Sequence, residues 1–336
     1  METAAGKAEW SALLRPFAKP HAGKAAIQLI DTLVPYAAAL VLMYLTLRWG
    51  LPYWVTALLA IPAGAFMVRS FILFHDCTHG SFLESRFAMT WIGRLLGLMT
   101  FTPFGQWRYA HGVHHSTAGN LDRRGVGDVW TMTVEEFKKK PLLKRLQYRA
   151  YRNPLVLFVL GPLFFFLVMN RLPGRGMKPL QLWSILLNDL VLAITIVGFG
   201  MTIGLRDYFL ILLPTQLLAG SAGIWLFYVQ HQFDPSYWAR SSDWSSVEAA
   251  LSGSSYYKLP ALLRWISGNI GIHHVHHLLP RIPNYNLRAC LQAIPELRLE
   301  DPLTIARSIT SVHLNLWDEA GRRLVTFREA LHMVGA

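Results

Sequence analysis

The sequence predicts an all-α integral membrane protein with four transmembrane helices in two hairpins, interfacial helices, and a cytosolic helical cap carrying a histidine-rich di-metal site. Three observations predict this fold class. Of the 336 residues, 53% are hydrophobic and only 15% are charged, whereas soluble domains average about 25% charged residues. Four long apolar runs stand in two closely spaced pairs. All 13 histidines lie outside these runs, and most of them are clustered.

The apolar runs cover residues 25–47, 52–74, 183–205 and 207–229. Each is long enough to cross the hydrocarbon core of a bilayer, which is about 30 Å thick and needs about 20 helical residues. The links at Arg48–Leu51 and at Arg206 are so short that each pair of runs is expected to form an antiparallel hairpin. We therefore expect one domain over residues 1–336, with residues 75–182 and 231–336 in the cytosol.

Two shorter apolar stretches cover residues 87–104 and 154–170. Arg94 interrupts the first stretch, and Gly161-Pro162 interrupts the second. Both are at the short limit of spanning length. We expect interfacial or re-entrant helices here, because the histidine clusters described below must lie on one side of the membrane.

The net charge of +12 indicates the sidedness of the chain. Each tight hairpin link holds one arginine, and nearly all other basic residues lie in the N-terminal tail, in residues 105–152 or after Gln232. Because cytoplasmic loops carry an excess of Lys and Arg, both termini and both large polar segments are predicted to be cytoplasmic. So apolar a chain is expected to interact with a lipid bilayer and not with nucleic acid. Two cysteines are too few for a disulfide framework or a cysteine-based metal site.

Three histidine clusters follow the apolar runs. The first box is His75-Asp76-Cys77-Thr78-His79, the second box is His111-Gly112-Val113-His114-His115, and the third box is His273-His274-Val275-His276-His277. The H-x-x-H-H spacing occurs twice, which chance does not explain at this histidine content. On a helix, residues i, i+3 and i+4 share one face. Each box can therefore direct several imidazoles toward one point.

The spacing also predicts how the histidines divide between metal ions. The two members of an H-x-x-H pair can bind one ion, and the adjacent histidine is turned by about 100° and can reach a second ion. A tetrahedral ion needs four ligands, so the eight box histidines other than His274 fit two ions with about four nitrogens each. Imidazole suits zinc, copper, iron or nickel. Redox iron is favoured, because a two-metal site beside a membrane-embedded apolar channel suits oxygen chemistry.

His231 is a ninth candidate ligand, because it ends the last apolar run on the same side as the boxes. His274 is extra to the spacing pattern and is expected either to support a ligand or to face outward. If the three boxes and His231 meet at one site, the stretches 87–104 and 154–170 cannot cross the membrane. Four spans then remain, in agreement with the distribution of charge.

These residues resemble the membrane fatty acid desaturase family, and in particular its omega-6-like (delta-12-like) bacterial acyl-lipid branch. The matching segments lie within residues 75–82, 107–115, 121–130, 230–231 and 269–287. The H-x-x-x-H first box argues for an acyl-lipid-type relative, since the acyl-CoA branch has one more residue between the two histidines. Thr78 stands where a glycine is common in that branch.

The resemblance implies an enzyme that uses O₂ to introduce a cis double bond into a fatty acyl chain at a non-haem di-iron centre. The ligands of the two iron ions, carried over by position, would be His75, His79, His111, His114, His115, His231, His273, His276 and His277. Electrons would come from a separate donor, such as ferredoxin with its reductase or a cytochrome, because no fused donor domain is recognised. The substrate would be a fatty acyl lipid or a fatty acid. The enzyme would lie in the bacterial inner membrane with its site facing the cytoplasm.

Further residues are expected to support the ligands or to line a substrate tunnel. Second ring nitrogens of metal-bound histidines usually donate to a carboxylate or carbonyl, and the candidates for such support are Asp76, Asp122, Asp128 and Asn269. The carboxylates are equally explained as loop caps or as ion-pair partners of basic loops. The candidates for an apolar tunnel are Trp107, Phe74, Trp225 and Tyr228, for which membrane-belt or core roles are equal explanations.

Other functions remain as alternatives. The same scaffold resembles hydroxylases, carotenoid ketolases and fatty acid decarboxylases that form terminal alkenes, although the segment Arg281–Tyr285 favours acyl desaturation. A metal transporter is a more distant alternative, because it needs ionisable residues along a path through the spans. The runs offer Asp31, Arg69 and Asp189 near their ends and no aligned series of ionisable residues. The basic segment Lys138–Lys140 can dock an acidic ferredoxin or anionic lipid, or can act only as a topology signal.

Overall fold

The computed structural model describes residues 4–333 and is mostly helical. The α-helices are α1 (Ala4–Leu14), α2 (Ala22–Arg48), α3 (Tyr53–His79), α4 (Arg86–Met99), α5 (Phe104–Thr117), α6 (Val134–Lys139), α7 (Leu142–Tyr151), α8 (Gly161–Leu167), α9 (Pro179–Thr202), α10 (Leu205–His231), α11 (Ser246–Leu251), α12 (Ala261–Ile266), α13 (His273–Leu278), α14 (Asn284–Ala293), α15 (Ile305–Thr310) and α16 (Phe327–His332). The strands are β1 (Met132–Thr133), β2 (Leu316–Asp318) and β3 (Arg323–Val325). Short 3₁₀ or π segments cover Arg15–Ala18, Val156–Leu160, Met169–Arg171, Pro295–Leu297 and Ser311–His313.

The four long apolar helices α2, α3, α9 and α10 have the length and composition needed to cross a membrane, which confirms the predicted fold class. They form two hairpins, and glycines with positive φ lie in both turns: Gly50 at 67° and Gly204 at 86°. Such φ values are readily adopted by glycine, which has no Cβ. Helix α3 extends beyond the predicted span 52–74 and continues through the first box to His79, where Gly80 caps it in the left-handed conformation.

Helix α3 is the central element of the described chain. Over its apolar window 56% of the residues are buried, whereas the corresponding value for α9 is 11%. α3 packs against α2, α4 and α10. At Gly64 the backbone lies so close to α10 that a Cβ atom would be 3.1 Å from the Leu218 Cβ. The first box is therefore carried by the most firmly packed of the long helices.

The two shorter apolar stretches form separate, shorter helices. On α4 the side chains of Phe87, Trp91 and Leu95 are exposed at 75%, 53% and 53%, and they repeat every four residues along one face. Met89 and Leu96 of the same helix are buried. The second stretch follows α7 at a sharp bend: Leu142–Tyr151 and Val156–Arg171 are inclined by 62°, and counting this pair as one span would raise the number of candidate spans in the described chain to five. The interfacial placement of both stretches stays a prediction.

The residues after His231 and the loop before α6 form a cap of short helices and one small sheet. Strand β2 pairs with β1 in parallel and with β3 in antiparallel orientation. The buried Arg152 guanidinium donates to the Gln232 Oε1 at 2.9 Å and to the Leu314 backbone oxygen at 2.5 Å. The Tyr148 hydroxyl donates to the Asn315 backbone oxygen at 2.5 Å. These bonds hold the C-terminal segment against the end of α10 and the loop that carries Asp128.

Candidate metal centre

The first box lies on the last turn of α3. His75 and His79 are four residues apart, so that both rings point to the same side of the helix. Their Nε2 atoms lie 3.2 Å apart. The first box therefore supplies two adjacent nitrogens from one rigid helix end.

The second box lies on α5, and its histidine rings point in two directions. The Nε2 atoms of His111 and His115 lie 3.0 Å apart. The His114 ring points elsewhere, and its Nε2 lies 3.1 Å from the Nε2 of His231 at the end of α10. One helix thus contributes histidines to two different clusters.

The third box forms the short helix α13 and is divided in the same way. His273 Nε2 lies 3.1 Å from His277 Nε2 and 3.0 Å from His231 Nε2. His276 Nε2 instead lies 3.1 Å from His115 Nε2. The backbone N–H of His273 donates to the Ser255 oxygen at 3.2 Å, which fixes the start of the helix.

The nine candidate ligands gather in two groups. The first histidine group comprises His75, His79, His111, His115 and His276, and the second histidine group comprises His114, His231, His273 and His277. Within each group the ring nitrogens lie within 4.8 Å of one another. The groups are neighbours, since the rings of His115 and His277 stack with centroids 4.1 Å apart.

The division between the groups corrects the prediction from spacing. The expected partners were residues i and i+3, such as His111 with His114, and the total was about four nitrogens per ion. The structure pairs i with i+4 in all three boxes, and the i+3 residue joins the other group. With about 3.6 residues per turn, the i+4 side chain is turned by only about 40° from residue i, whereas i+3 is turned by about 60° to the other side.

The donor set fits a metal ion in each group. Two nitrogens that each lie about 2.1 Å from one ion are separated by about 3.0 to 3.4 Å for bond angles of about 90° to 109°. The six Nε2 to Nε2 distances given above fall at 3.0 to 3.2 Å. Hydrogen bonds among these atoms cannot satisfy a whole group, because each neutral ring has only one N–H. A metal ion at the centre of each group can accept an electron pair from one ring nitrogen of every member.

Burial favours the neutral, metal-binding form of five box histidines on α5 and α13. Desolvation is the main cause that lowers the pKa of these five well below the ordinary value, and the neighbouring imidazoles lower it further. This holds for His111, His115, His273, His276 and His277. Neutral imidazole is the state in which histidine donates an electron pair to a metal.

Two of the predicted supporting carboxylates contact a histidine. The Asp128 Oδ1 lies 2.6 Å from the His114 Nδ1, and the Asp76 Oδ1 lies 3.4 Å from the His75 Nδ1. A carboxylate that accepts from Nδ1–H leaves Nε2 free for a metal. The Asp76 carboxylate is itself held, because its Oδ2 accepts from both the backbone and the side-chain nitrogen of Asn284 at 2.7 and 2.9 Å.

The other two predicted supporting residues contact no histidine. Asp122 accepts from the Arg240 guanidinium and from the Ser241 backbone N–H, both at 2.8 Å. These bonds lower the pKa of the Asp122 carboxyl, and they match the alternative of an ion pair in a basic loop. Asn269 has φ of 59° and donates to the Asn284 backbone oxygen at 3.2 Å, so that it reaches the centre only through Asn284 and Asp76.

The four predicted tunnel residues fall in two separate places. Trp107 stacks on His111 with centroids 4.1 Å apart, and its ring also contacts the buried Phe74 at 5.1 Å. Trp225 donates from Nε1 to the Tyr257 hydroxyl at 3.4 Å. The buried Tyr228 donates to the Ser311 backbone oxygen at 3.0 Å. Only Phe74 and Trp107 thus lie against the first histidine group, and the other two belong to the packing beneath the cap.

Some supporting contacts were not foreseen. The Gly253 backbone oxygen lies 3.3 Å from His231 Nδ1, and a backbone carbonyl leaves no signal in a sequence. Gln28 of α2 donates to the Asn284 Oδ1 at 2.7 Å, which extends the chain of bonds behind Asp76. His274 is fully buried and donates from Nε2 to the Leu297 oxygen at 2.9 Å. The expectation that it faces outward is wrong, and it belongs to neither group.

Comparisons with known proteins agree with this geometry. The family model for fatty acid desaturases matches residues 52–307. A fatty acid desaturase of Bacillus subtilis (strain 168) is 40% identical over 317 residues, which are 94% of this chain and 90% of that protein. The sn-1 oleoyl-lipid 12-desaturase of a Synechocystis strain is 29% identical over 73% of this chain and 70% of its own length. An sn-1 acyl-lipid omega-3 desaturase (ferredoxin) of a Nostoc strain is 30% identical over 67% of this chain and 63% of its own.

The family match covers all three boxes and His231, which the structure assembles at one end of the long apolar helices. The chain is an integral membrane protein and belongs to the fatty acid desaturase family of oxidoreductases.

Proposed function

We propose that this protein is an O₂-dependent desaturase that introduces a cis double bond into the acyl chain of a lipid, at a di-iron centre held by the two histidine groups. The observation that carries the proposal is the pair of groups themselves, with five and four ring nitrogens that lie within 4.8 Å of one another. Nitrogen donors suit iron as well as zinc. Two adjacent iron sites can share the electrons that the reduction of O₂ requires.

The relatives support the substrate and donor in this proposal. The Synechocystis and Nostoc proteins are named as acyl-lipid desaturases, and the name of the Nostoc protein includes ferredoxin. We infer an acyl lipid as substrate and ferredoxin, or a similar one-electron protein, as donor. The exposed basic segment Lys138–Lys140 offers a docking surface for an acidic donor, since complementary charge speeds protein association.

The reaction sets what the chain must do. Removal of two hydrogen atoms from a saturated chain, with reduction of O₂ to two water molecules, consumes two further electrons and two protons from outside the substrate. Activation of O₂ toward an unactivated methylene group is the chemistry that two bound iron ions would supply. The protein's own residues must hold the ligands in one protonation state, exclude water and fix the position of the acyl chain.

Side chains around the two histidine groups can orient the ligands and exclude water. Asp128 contacts the Nδ1 of His114, and the Gly253 carbonyl contacts the Nδ1 of His231. The Nε2 atoms of both rings therefore face the other members of the second histidine group. The ring of Trp107, stacked on His111 and packed on Phe74, covers the first group with apolar surface. On the other side Phe227 lies 5.2 Å from the His114 ring and 5.3 Å from the His231 ring. These aromatic rings restrict water at both groups.

We also propose the sidedness that the charges predict. Both termini, the boxes and the cap would face the cytoplasm, and the membrane would be the bacterial inner membrane. Cysteine substitutions in single exposed loops, labelled in intact cells and in inverted vesicles by an impermeant thiol reagent, test this placement. Labelling of Ser242→Cys in intact cells without permeabilisation contradicts it.

The experiment that tests the function uses the purified full chain loaded with iron. The protein is supplied with reduced ferredoxin, O₂ and lipid with saturated acyl chains, and the acyl products are identified by mass spectrometry. We expect a product lighter by two hydrogen atoms and two iron ions per chain, and His115→Ala, which removes one ligand of the first histidine group, should abolish the product. A hydroxylated chain, or a terminal alkene one carbon shorter, assigns the protein to one of the other activities of this scaffold. A wild-type protein that holds only one loosely bound ion, with a metal content unchanged in His114→Ala, contradicts the di-iron centre.

A further inference from the structure

A cavity of about 210 Å³ opens beside the first histidine group. Three arginines line it, and each comes from a different element: Arg86 is the first residue of α4, Arg108 lies on α5, and Arg281 lies in the loop between α13 and α14. His79, Cys77 and Met89 form other parts of its wall. We call this cavity the arginine pocket.

The three guanidinium groups are available to a ligand. Among residues 4–333, none of the three has an ion pair with a carboxylate, whereas Arg124, Arg240 and Arg307 of the cap each have at least one. All three residues are exposed. Three like charges around one cavity repel each other, and an anion with several oxygens between them relieves that repulsion.

The pocket lies at the start of a helix that has the features of an interfacial helix. Helix α4 begins at Arg86 and presents the exposed side chains Phe87, Trp91 and Leu95 along one face. The Arg94 guanidinium lies 4.8 Å from the Trp91 ring centroid. Apolar residues on one face, with Trp and Arg among them, are typical of a helix in the headgroup region of a bilayer.

The inner wall of the pocket leads to the metal centre and to apolar surface. Cys77 and Met89 belong to one buried cluster with Phe74 and Phe104, against which Trp107 packs. His79 is a member of the first histidine group. A lipid with its anionic head at the arginines can therefore direct its acyl chain toward apolar side chains past the group that holds one of the metals.

We propose that the arginine pocket binds the anionic phosphodiester of a phospholipid whose acyl chain is the substrate. Guanidinium groups from three elements can donate to the two non-bridging oxygens and the two ester oxygens of one phosphodiester, whereas one guanidinium already pairs with both oxygens of a carboxylate. This inference rests on the proposed function, because it assigns the head end of the acyl lipid that the metal centre acts on. It makes Arg86, Arg108 and Arg281 determinants of specificity for anionic lipid heads.

The test compares three ligands with identical saturated chains: phosphatidylglycerol, diacylglycerol without a phosphate, and the free fatty acid. Binding to the purified full chain in detergent micelles is measured by native mass spectrometry, and kcat/KM is measured with the iron-loaded enzyme. We expect phosphatidylglycerol to bind most tightly. Each of R86Q, R108Q and R281Q should lower kcat/KM for phosphatidylglycerol about tenfold, which equals about 1.4 kcal/mol, and should leave the value for diacylglycerol unchanged.

The matched control is Arg94→Gln, which removes an exposed arginine of the same helix that does not line the cavity. It should leave both binding and kcat/KM unchanged. Thermal melting curves that coincide with that of the wild type show that each variant is folded.

Several outcomes overturn the proposal. If the variant with all three substitutions binds phosphatidylglycerol as tightly as the wild type, the pocket does not recognise phosphate. If the free fatty acid binds more tightly than phosphatidylglycerol and loses this binding in the variant, the ligand is a carboxylate instead. The binding assay is independent of the proposed function: if no lipid is desaturated but phosphatidylglycerol binding still depends on the arginines, only the proposed function fails.

Discussion

The two histidine groups differ in what holds them in place. The first histidine group has five members and is bordered by apolar aromatic side chains and by the arginine pocket. Its one carboxylate contact, from Asp76 to His75, is long at 3.4 Å. The second histidine group has four members, and hydrogen bonds fix two of their Nδ1 atoms, with Asp128 at 2.6 Å and Gly253 at 3.3 Å.

From this difference we infer that the two histidine groups have different roles in one metal centre. A group that is held by packing presents an apolar side on which an acyl chain can lie. A group that is held by hydrogen bonds has its ligand orientation and basicity set by polar neighbours. The following experiments test the comparison, beginning with the largest expected effect.

Removal of one ligand from each group should separate them by metal content. His277→Ala leaves three nitrogens in the second group, and His276→Ala leaves four in the first. Four nitrogens still suffice for an ion, whereas three leave the site short of a common ligand number. We expect both variants to lose desaturation, with about one iron per chain in His277→Ala and a higher content in His276→Ala. Elemental analysis measures this, and equal iron loss would remove the distinction between the groups.

Neutralisation of the supporting carboxylates should affect the second group more strongly. Asp128→Asn removes the charge that lies 2.6 Å from His114, and loss of such a partner costs about 10- to 100-fold in metal affinity. Asp76→Asn is the matched change in the first group and should cost less, since its contact is longer. Competition with a chelator gives both affinities. A larger loss of metal affinity in Asp76→Asn than in Asp128→Asn would contradict this prediction.

Truncation of an aromatic ring should affect the first group more strongly. Trp107→Leu removes the ring that stacks on His111, and aromatic pairs contribute about 0.5–1.5 kcal/mol beyond burial. We expect turnover to fall about twofold to tenfold. Phe227→Leu, at the second group, should have a smaller effect, because its centroid distances to His114 and His231 exceed 5 Å and neither contact is stacked. Steady-state rates at equal iron content decide the order.

The smallest effect on the centre is expected at His274, which lies within the third box but in neither group. His274→Ala leaves the Leu297 carbonyl without its donor inside the protein, which costs about 1–3 kcal/mol of stability. Iron content and turnover per folded molecule should not change, and thermal unfolding should occur at a lower temperature. Iron loss in this variant would show that the third box acts as one unit.

The long helices and the meeting of the boxes could be predicted from the sequence, because both depend on local pattern. Apolar runs of sufficient length predict helices in lipid, and repeated H-x-x-H-H spacing predicts convergent imidazoles. The apolar run ends at residue 74, but α3 continues through the first box, because nothing from residue 75 to His79 stops a helix and Gly80 is the first residue that does.

Choices between equivalent residues could not be predicted. Asp122 and Asp128 stand in the same loop, and only the fold brings Arg240, which is 118 residues away, to Asp122. Asp128 is therefore the carboxylate of this loop that contacts His114. In the same way, spacing alone does not distinguish the i+3 from the i+4 partner, and the support of His231 by the Gly253 carbonyl depends on the backbone and not on a side chain.

The order of the ligands along the chain has a consequence for biosynthesis. Four of the five members of the first group lie between His75 and His115, whereas the second group joins α5, α10 and α13. A ribosome that has made α5 has produced most of the first group but only His114 of the second. The second group is complete only when His277 has been synthesised, after all four long apolar helices. If the two groups hold metal ions as proposed, the complete centre can be loaded only after all four long apolar helices have been synthesised.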